Sequence, residues 1–192
     1  MIYIVVLNWN GAIDTINCVK SLMDLNVSDY KIIIVDNCSM DNSYDTIKEN
    51  LNSLYIADKS IIEVKYEDRN KYKTLENDKI ILIQSPQNNG YASGNNIGIE
   101  FALNQENMKY VWVLNNDTEV DKEALTHLIS KCDSDKSIGI CGSRLVYFAD
   151  REMQQGLGGV HNKWLCTTKN YEMGRLVSKK YDDEVISNDI DY

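Results

Sequence analysis

The sequence predicts an α/β fold, a mostly parallel sheet with helices on both faces. Apolar runs without polar alternation recur along the chain, as in strands that are buried on both sides. After each run, apolar residues return at helical spacing, and this alternation is typical of parallel strands joined by crossover helices. With 192 residues, of which 43% are hydrophobic and 26% charged, the chain can bury a sizeable core. We therefore expect residues 1–192 to form a single globular domain.

Four strand–helix pairs follow one another along the chain. The predicted strands are 2–7, 31–35, 80–83 and 110–114, and the helices predicted after them are about 12–25, 42–50, 92–104 and 122–132. The first helix repeats Ile16, Val19 and Leu22 along one side, and Asp41 is placed to cap the second. Residues 51–79 interrupt the alternation with a long, polar and charged stretch. We expect a polar insertion or a hairpin there.

Charge and composition weigh against several classes of protein. A net charge of −9 disfavours binding to a nucleic acid polymer, because such binding depends on clustered Lys and Arg. The longest apolar run, 2–7, is far shorter than the ~20 residues of a membrane-spanning helix. The five cysteines form no C-x-x-C pair, and the two histidines are too few for a histidine-based metal site. We expect a cytoplasmic protein with reduced thiols.

Polar side chains crowd the four positions at which the predicted strands end. The clusters are Asn8-Trp9-Asn10-Gly11, residues 36–43, residues 87–96, and Asn115-Asn116-Asp117. In an open parallel sheet, ligands bind beyond the carboxyl ends of the strands. Each cluster taken singly is also ordinary turn and cap chemistry. Four of them at one edge of the sheet favour a site for a polar ligand.

Asp117 has two interpretations. It could cap the helix predicted to follow it, or it could be a carboxylate held at a strand end for a hard divalent cation, which prefers oxygen ligands. The other three clusters favour the metal. The sequence contains neither G-x-x-x-x-G-K-[ST] nor a G-x-G-x-x-G after the first strand. These absences weigh against an NTPase and against a dinucleotide-dependent dehydrogenase.

Taken in order, the four clusters resemble the motifs of the family 2 glycosyltransferases of the GT-A fold, and especially their rhamnosyltransferase-like branch. The resemblance extends over about residues 2–148, apart from 51–79. It implies a GT-A-type, Rossmann-like domain that transfers a sugar, such as rhamnose, from a UDP- or dTDP-sugar with inversion. It also implies Mg²⁺ or Mn²⁺ as the cofactor.

The resemblance further implies a role for each cluster. Asp36 would bind the base or ribose of the nucleotide, and Asp117, in the place of the family's D-x-D motif, would be the main metal ligand. The other residues expected to bind the nucleotide sugar are Asn8, Trp9, Asn10, Asn37, Ser39, Asn89, Gly90, Asn95, Asn115 and Asn116. Because one carboxylate is a small share of the oxygen ligands that Mg²⁺ needs, we expect weak metal binding without nucleotide.

An inverting transfer needs a carboxylate base for the acceptor hydroxyl, and the acidic run Asp182-Asp183-Glu184 is no convincing source of it. The family pattern places the base later than Tyr192, so we expect the donor-binding part of a longer enzyme, truncated at its C-terminus. The full-length protein would act on a glycan or lipid-linked glycan and associate peripherally with the inner face of the membrane.

Two alternatives stay open. One is a non-catalytic module that binds a nucleotide sugar. The other is a sugar nucleotidyltransferase, although Asn8-Trp9-Asn10-Gly11 lacks the basic residues expected after the first strand of such an enzyme.

Overall fold

The structure is a computed structural model that describes residues 1–54, 60–162 and 164–178. The chain divides into two compact units, Met1–Glu123 and Ala124–Tyr192, where the sequence analysis expects one domain. The division follows the strands, since the large sheet lies wholly in the first unit and the described part of the second has only short strands.

The first unit contains the predicted alternation of strands and helices. Its elements are β1 (Ile2–Asn8), α1 (Ala12–Met23), β2 (Tyr30–Asp36), α2 (Ser43–Leu54), β3 (Ser60–Val64), β4 (Asp78–Gln84), α3 (Tyr91–Leu103) and β5 (Tyr110–Asn115), with a 3-10 turn at Tyr66–Asp68. Asp41 assists the start of α2, because its carboxylate accepts the Ser43 N–H at 2.9 Å. The four predicted strands and the first three predicted helices are confirmed.

The five strands form one sheet in the order β3-β4-β2-β1-β5, and every pair in it is parallel. From β1 the chain passes outward to β2 and then to β3 at the edge of the sheet. It comes back to β4, between β3 and β2, and finally places β5 on the other side of β1. The strand order therefore reverses at β1. In open α/β sheets, ligands bind at such a reversal, beyond the carboxyl ends of the strands.

Helices cover both faces of the sheet, as predicted. Tyr3, Val5 and Leu7 of β1 point to one face, where they form a core with Ile97 and Phe101 of α3. The alternate residues of β1, Ile4 and Val6, are buried completely on the opposite face. Helices α1 and α2 cover that face and bury a row of apolar side chains there, namely Ile16, Val19, Leu22, Ile47 and Leu51.

Of the two alternatives expected for 51–79, a polar insertion or a hairpin, the described residues of this range form no hairpin. Residues 60–64 form β3, which pairs parallel to β4 at the edge of the sheet. Val64 is buried in the core on the α3 side, whereas Glu63 faces α2, where Lys48 lies 2.6 Å from its carboxylate. An edge strand of this kind is buried on one side only, which produces the alternating pattern that also suggests a hairpin. Residues 55–59 lie outside the described residues.

The second unit begins with helix α4 (Ala124–Ser134). Two short antiparallel pairs follow, β6 (Leu145–Val146) with β7 (Gln154–Gly156) and β8 (Gly159–Asn162) with β9 (Thr167–Asn170). In the described ranges of both units, no helix has the length and apolar character needed to cross a membrane.

Helix α3 lies very close to the sheet because glycines face β1. A Cβ added at Gly98 would lie 2.5 Å from Val5 Cγ1 and 3.3 Å from Val35 Cγ2. Both neighbours are buried β-branched side chains, which have little rotamer freedom with which to move aside. Gly98 is therefore required by packing rather than by its backbone conformation.

We predict that Gly98→Ala destabilises the first unit by about 1–3 kcal/mol, because the added methyl overpacks the interface of α3 with β1. The predicted value is the net change, after the gain of about 1 kcal/mol in helix propensity that alanine brings. Urea denaturation followed by circular dichroism measures the change. Gly142→Ala is the control, since nothing lies within 4 Å of an added Cβ there. Equal stability of the two variants would contradict the prediction.

Candidate functional site

The four polar clusters predicted from the sequence meet at the carboxyl edge of the sheet. Parallel pairing places Asn8 of β1 opposite Asp36 of β2, and Asp36 opposite Gln84 of β4. On the other side of β1, Leu7 pairs with Asn115 at the end of β5. The convergence follows from the register of the strands.

Asp36 is completely buried at this edge, and both of its carboxylate oxygens are occupied by the protein. Oδ1 accepts hydrogen bonds from Asn8 Nδ2 at 2.7 Å and from the Ser39 hydroxyl at 2.5 Å. Oδ2 accepts from the Ser39 N–H at 3.1 Å and from Gln84 Nε2 at 3.3 Å. We call Asn8, Asp36, Ser39 and Gln84 the Asp36 network. It joins the ends of three strands around one buried charge.

The loops after β1 and β2 are tied to each other. Asn10 has a left-handed backbone with φ 52°, and its N–H donates to Ser39 Oγ at 2.9 Å. The Asn10 side-chain oxygen in turn accepts the Met40 N–H at 2.8 Å. Trp9, between these bonds and the strand, is 55% exposed. An indole ring is thus held at the edge with surface available to a ligand.

The turn after β5, Asn115-Asn116-Asp117, is held from two sides, and we call it the β5 turn. Tyr91 at the start of α3 donates its hydroxyl to Asn115 Oδ1 at 2.7 Å. Asn116 Nδ2 donates to Thr15 Oγ1 at 3.1 Å and to the Gly11 carbonyl at 3.3 Å, both in the region where α1 begins. Gly11 permits this approach, because a Cβ there would lie 2.7 Å from Asn116 Nδ2.

Asp117 is exposed on the β5 turn. The next helix, α4, begins only at Ala124, so the interpretation of Asp117 as its N-cap is wrong. Beneath the turn, the buried Cys18 thiol donates to the Asn115 carbonyl at 3.8 Å. Burial, with a further contribution from the negative charge of Asp117, raises the pKa of Cys18 to about 12. Asp117 is thus a carboxylate open to solvent on a fixed support.

Two asparagines on the α3 side carry buried oxygens without a hydrogen-bond partner. Asn37 is 3% exposed; its Nδ2 donates to Asn88 Oδ1 at 2.9 Å and to the Gly90 carbonyl at 3.3 Å, while its Oδ1 has no partner. Asn95 is 4% exposed and likewise leaves Oδ1 without a partner, although its Nδ2 reaches the Tyr91 carbonyl at 3.1 Å. An unsatisfied buried acceptor costs about 1–3 kcal/mol.

The loop before α3 carries Asn89 and Gly90, the remaining residues predicted to bind the nucleotide sugar. Gly90 has φ 87°, a left-handed conformation that glycine adopts without strain, and its N–H donates to Asn88 Oδ1 at 2.8 Å. Asn89 beside it is exposed. The residues predicted to bind the nucleotide sugar thus lie on loops, on strand ends or, for Asn95, in the N-terminal half of α3, all at this one edge. The acidic run 182–184 lies outside the described residues.

The described residues of this edge can supply only some of the ligands that a divalent cation needs. The described residues contain no group of three or more His, Cys, Asp and Glu side chains able to hold an ion. Asp117 supplies one carboxylate, and a hard cation takes six or more oxygen ligands. The donor set therefore fits an ion whose remaining ligands are water and the oxygens of a bound anion. It does not fit a structural ion enclosed by protein.

Sequence reasoning missed Thr15 and Gln84, and it assigned no role to Asn88 and Tyr91 although both lie in the cluster 87–96. Gln84 and Asn88 follow the carboxyl end of a predicted strand. The expectation that ligands bind beyond such ends, which selected Asn8 and Asp36, therefore applies to them as well. Thr15 left a different signal, a polar residue immediately before the apolar stripe that Ile16 and Val19 form along α1. The contact of Tyr91 with Asn115 has no signal in the sequence.

Comparison with known sequences identifies similar proteins. Residues 3–157 match the sequence profile of the family described as Glycosyl transferase family 2. The low-salt glycan biosynthesis hexosyltransferase Agl10 of Haloferax volcanii is 33% identical over 106 residues. The match covers 53% of this chain and 32% of Agl10, so the chain spans about a third of the length of this curated relative.

Two solved structures are similar to this chain. The mannosyltransferase PcManGT of Pyrobaculum calidifontis, in complex with GDP-Man and Mn²⁺, has a TM-score of 0.52 at 12% identity, covering 72% of this chain and 33% of that enzyme. TarS of S. aureus in complex with UDP-GlcNAc has a TM-score of 0.49 at 14% identity, covering 69% of this chain and 31% of TarS. The mannosyltransferase match confirms the predicted GT-A-type α/β fold.

We predict that Asp36→Asn lowers the free energy of unfolding by about 2–4 kcal/mol. The amide nitrogen would face donors that now bond to a carboxylate oxygen, which leaves buried polar groups unsatisfied. Urea denaturation measures the loss. Asp24→Asn, at an exposed aspartate after α1 in the same unit, is the matched control and should change stability by less than about 0.5 kcal/mol. A stable Asp36→Asn variant would show that the buried carboxylate does not hold the edge together.

Proposed function

The chain belongs to glycosyl transferase family 2, and we propose that its sheet edge binds a nucleotide-diphosphate sugar as the donor for transfer of the sugar to a glycan. One observation carries the proposal. Asp117 is an exposed carboxylate on a turn fixed by Asn115 and Asn116, and that turn lies at the reversal of strand order beside the Asp36 network. A diphosphate needs such a place, where a cation can be held close to a polar edge.

Asp117 would hold Mg²⁺ or Mn²⁺ together with oxygens of the donor diphosphate. When bound, the ion neutralises the charge that develops on the diphosphate leaving group. The protein's part is to keep the carboxylate in place, which the hydrogen bonds of Asn115 and Asn116 do. Because Asp117 is the one carboxylate on this turn, affinity for the ion alone is low and rises when the diphosphate supplies further ligands.

Asn37, rather than Asp36, would read the nucleobase. The resemblance to the family assigns the base or ribose to Asp36, but both Asp36 oxygens are occupied by protein donors. The Asn37 amide is fixed by its bonds to Asn88 and Gly90, and its Oδ1 remains an acceptor without a partner. The imide N–H of uracil or thymine can satisfy it. Because this oxygen is buried, the exposed loop 86–90 must shift to admit a base.

The finer details of the transfer rest on the family resemblance. They are inversion at the anomeric carbon, a UDP- or dTDP-sugar such as a rhamnose donor, and a glycan or lipid-linked glycan acceptor at the inner face of the membrane. Inversion needs a carboxylate base on the acceptor side, and none of the residues described at this edge is assigned to that role. Agl10, which shares 33% identity over its matched part, is a hexosyltransferase of glycan biosynthesis, and this supports a glycan acceptor.

We predict that Asp117→Asn lowers the affinity for UDP at least tenfold in the presence of Mn²⁺ and leaves the affinity without Mn²⁺ within twofold of wild type. The amide keeps the shape of the side chain but lacks the charge that binds the ion. A tenfold loss corresponds to about 1.4 kcal/mol. Isothermal titration calorimetry measures the affinity for UDP with and without Mn²⁺. A parallel titration with GDP measures the affinity for a purine nucleotide.

Asp121→Asn is the matched control for Asp117→Asn, because Asp121 is also exposed and lies four positions further along the chain. It should bind UDP as wild type does under both conditions. If wild-type protein binds UDP equally well with and without Mn²⁺, or if the two variants behave alike, the assignment of Asp117 is wrong.

We predict a different pattern for Asn37→Ala. It should weaken the binding of UDP by about tenfold with and without Mn²⁺, because it removes an acceptor for the base rather than a ligand of the ion. Competition by uridine, which has no phosphate, isolates the base and should be lost in this variant. Asn52→Ala, at an exposed asparagine in the last turn of α2 and outside the predicted site, provides the control. If uridine competes with UDP equally well in Asn37→Ala and in wild type, Asn37 does not bind the base.

A further inference from the structure

Thr15 lies between the Asp36 network and the β5 turn. Its side chain is completely buried in the first turn of α1. The Thr15 hydroxyl donates to Asn8 Oδ1 at 2.8 Å and accepts from Asn116 Nδ2 at 3.1 Å. Thr15 therefore joins the buried network at the end of β1 to a turn that is 101 residues away in the sequence.

The Thr15 hydroxyl has one proton and two acceptors, Asn8 Oδ1 at 2.8 Å and the Gly11 carbonyl at 3.0 Å. The shorter of these bonds, to Asn8, completes a series of hydrogen bonds that runs in one direction. Asn116 donates to Thr15, Thr15 donates to Asn8, and Asn8 donates to the Asp36 carboxylate. The series ends on a charged acceptor, and each bond polarises the next, which strengthens the series as a whole. Because a hydroxyl has one donor and two acceptor sites, Thr15 can serve both neighbours at once. Valine, of the same shape, can serve neither.

A threonine in a helix often bonds only to the carbonyl four residues earlier, and Thr15 Oγ1 does lie 3.0 Å from the Gly11 carbonyl. That contact alone would be a local feature of α1. The bond from Asn116 is not local, because it comes from the β5 turn. The same Asn116 amide also donates to the Gly11 carbonyl at 3.3 Å. Two neighbouring acceptors at the start of α1, Thr15 Oγ1 and the Gly11 carbonyl, thus bind the Asn116 side chain of the β5 turn.

We propose that Thr15 is a positioning residue of the donor site, whose hydroxyl holds the β5 turn, and with it Asp117, in register with the Asp36 network. The proposal rests on the proposed function for its link to the donor. Its structural part, that the hydroxyl of Thr15 keeps the β5 turn closed, can be tested without any nucleotide.

The nucleotide-free test uses Cys18, which is 1% exposed and whose thiol bonds to the Asn115 carbonyl beneath the β5 turn. In Thr15→Val, we expect iodoacetamide at pH 8 to alkylate Cys18 at least fivefold faster than in wild type, as measured by mass spectrometry of the native protein. Thr15→Ser keeps the hydroxyl and should stay within twofold of wild type. The exposed Cys166 serves as the internal reference for reagent reactivity.

Ile16→Val is the control for a general loss of stability, since Ile16 is buried in the same helix and contributes packing only. It should also leave Cys18 alkylation within twofold of wild type. The role of Thr15 is wrong if Thr15→Val leaves the alkylation of Cys18 unchanged, if Thr15→Ser accelerates it as much as Thr15→Val, or if Ile16→Val accelerates it equally.

The second test links Thr15 to the donor by UDP titration in the presence and absence of Mn²⁺. Thr15→Val should lower the affinity at least fivefold with Mn²⁺ and less than twofold without it, whereas Thr15→Ser should restore the wild-type values. An equal loss under both conditions would contradict a role through Asp117. If wild-type protein shows no Mn²⁺-dependent binding of UDP, the proposed function fails, while the alkylation of Cys18 still decides whether Thr15 holds the turn.

Discussion

The buried carboxylate of Asp36 is the constraint on which the carboxyl edge of this sheet depends. A charge with no exposure to water must be satisfied by protein donors, and Asn8, Ser39 and Gln84 supply four hydrogen bonds to it. These donors come from the ends of β1 and β4 and from the loop after β2. Satisfying one carboxylate therefore fixes the relative positions of three strand ends.

The two aspartates of the edge illustrate how surroundings divide the roles of one residue type. Asp36 is buried and accepts four hydrogen bonds, so it organises the loops at the carboxyl edge. Asp117 is exposed on a turn that its neighbours Asn115 and Asn116 hold in place, so its oxygens remain available. The series of hydrogen bonds through Thr15 connects the two. In this account the buried aspartate sets the geometry and the exposed one meets the donor.

Hydrophobic patterning was enough to predict the parallel sheet, the helices on both faces and the convergence of the four polar clusters, because these follow from local periodicity and from the geometry of parallel strands. Strand β3 was misjudged, since an edge strand buried on one side alternates as a hairpin strand does. The saturation of Asp36 depends on strand register, and the contact of Thr15 with Asn116 spans 101 residues. No local pattern encodes either. The same limit explains why the sequence alone did not separate Asn37, which has a buried oxygen without a partner, from Asp36 as a candidate for binding a base.

Paramagnetic broadening by Mn²⁺ in ¹⁵N-labelled protein tests most directly the claim that this edge binds a cation together with a nucleotide diphosphate. With UDP present, substoichiometric Mn²⁺ should broaden the amide signals of residues 8–11, 36–39 and 115–118 before any others, and without UDP the same amount of Mn²⁺ should broaden them far less. Broadening that is centred elsewhere, for example on the surface groove that Asn26, Glu76 and Lys79 line, or that is unchanged by UDP, would contradict the account.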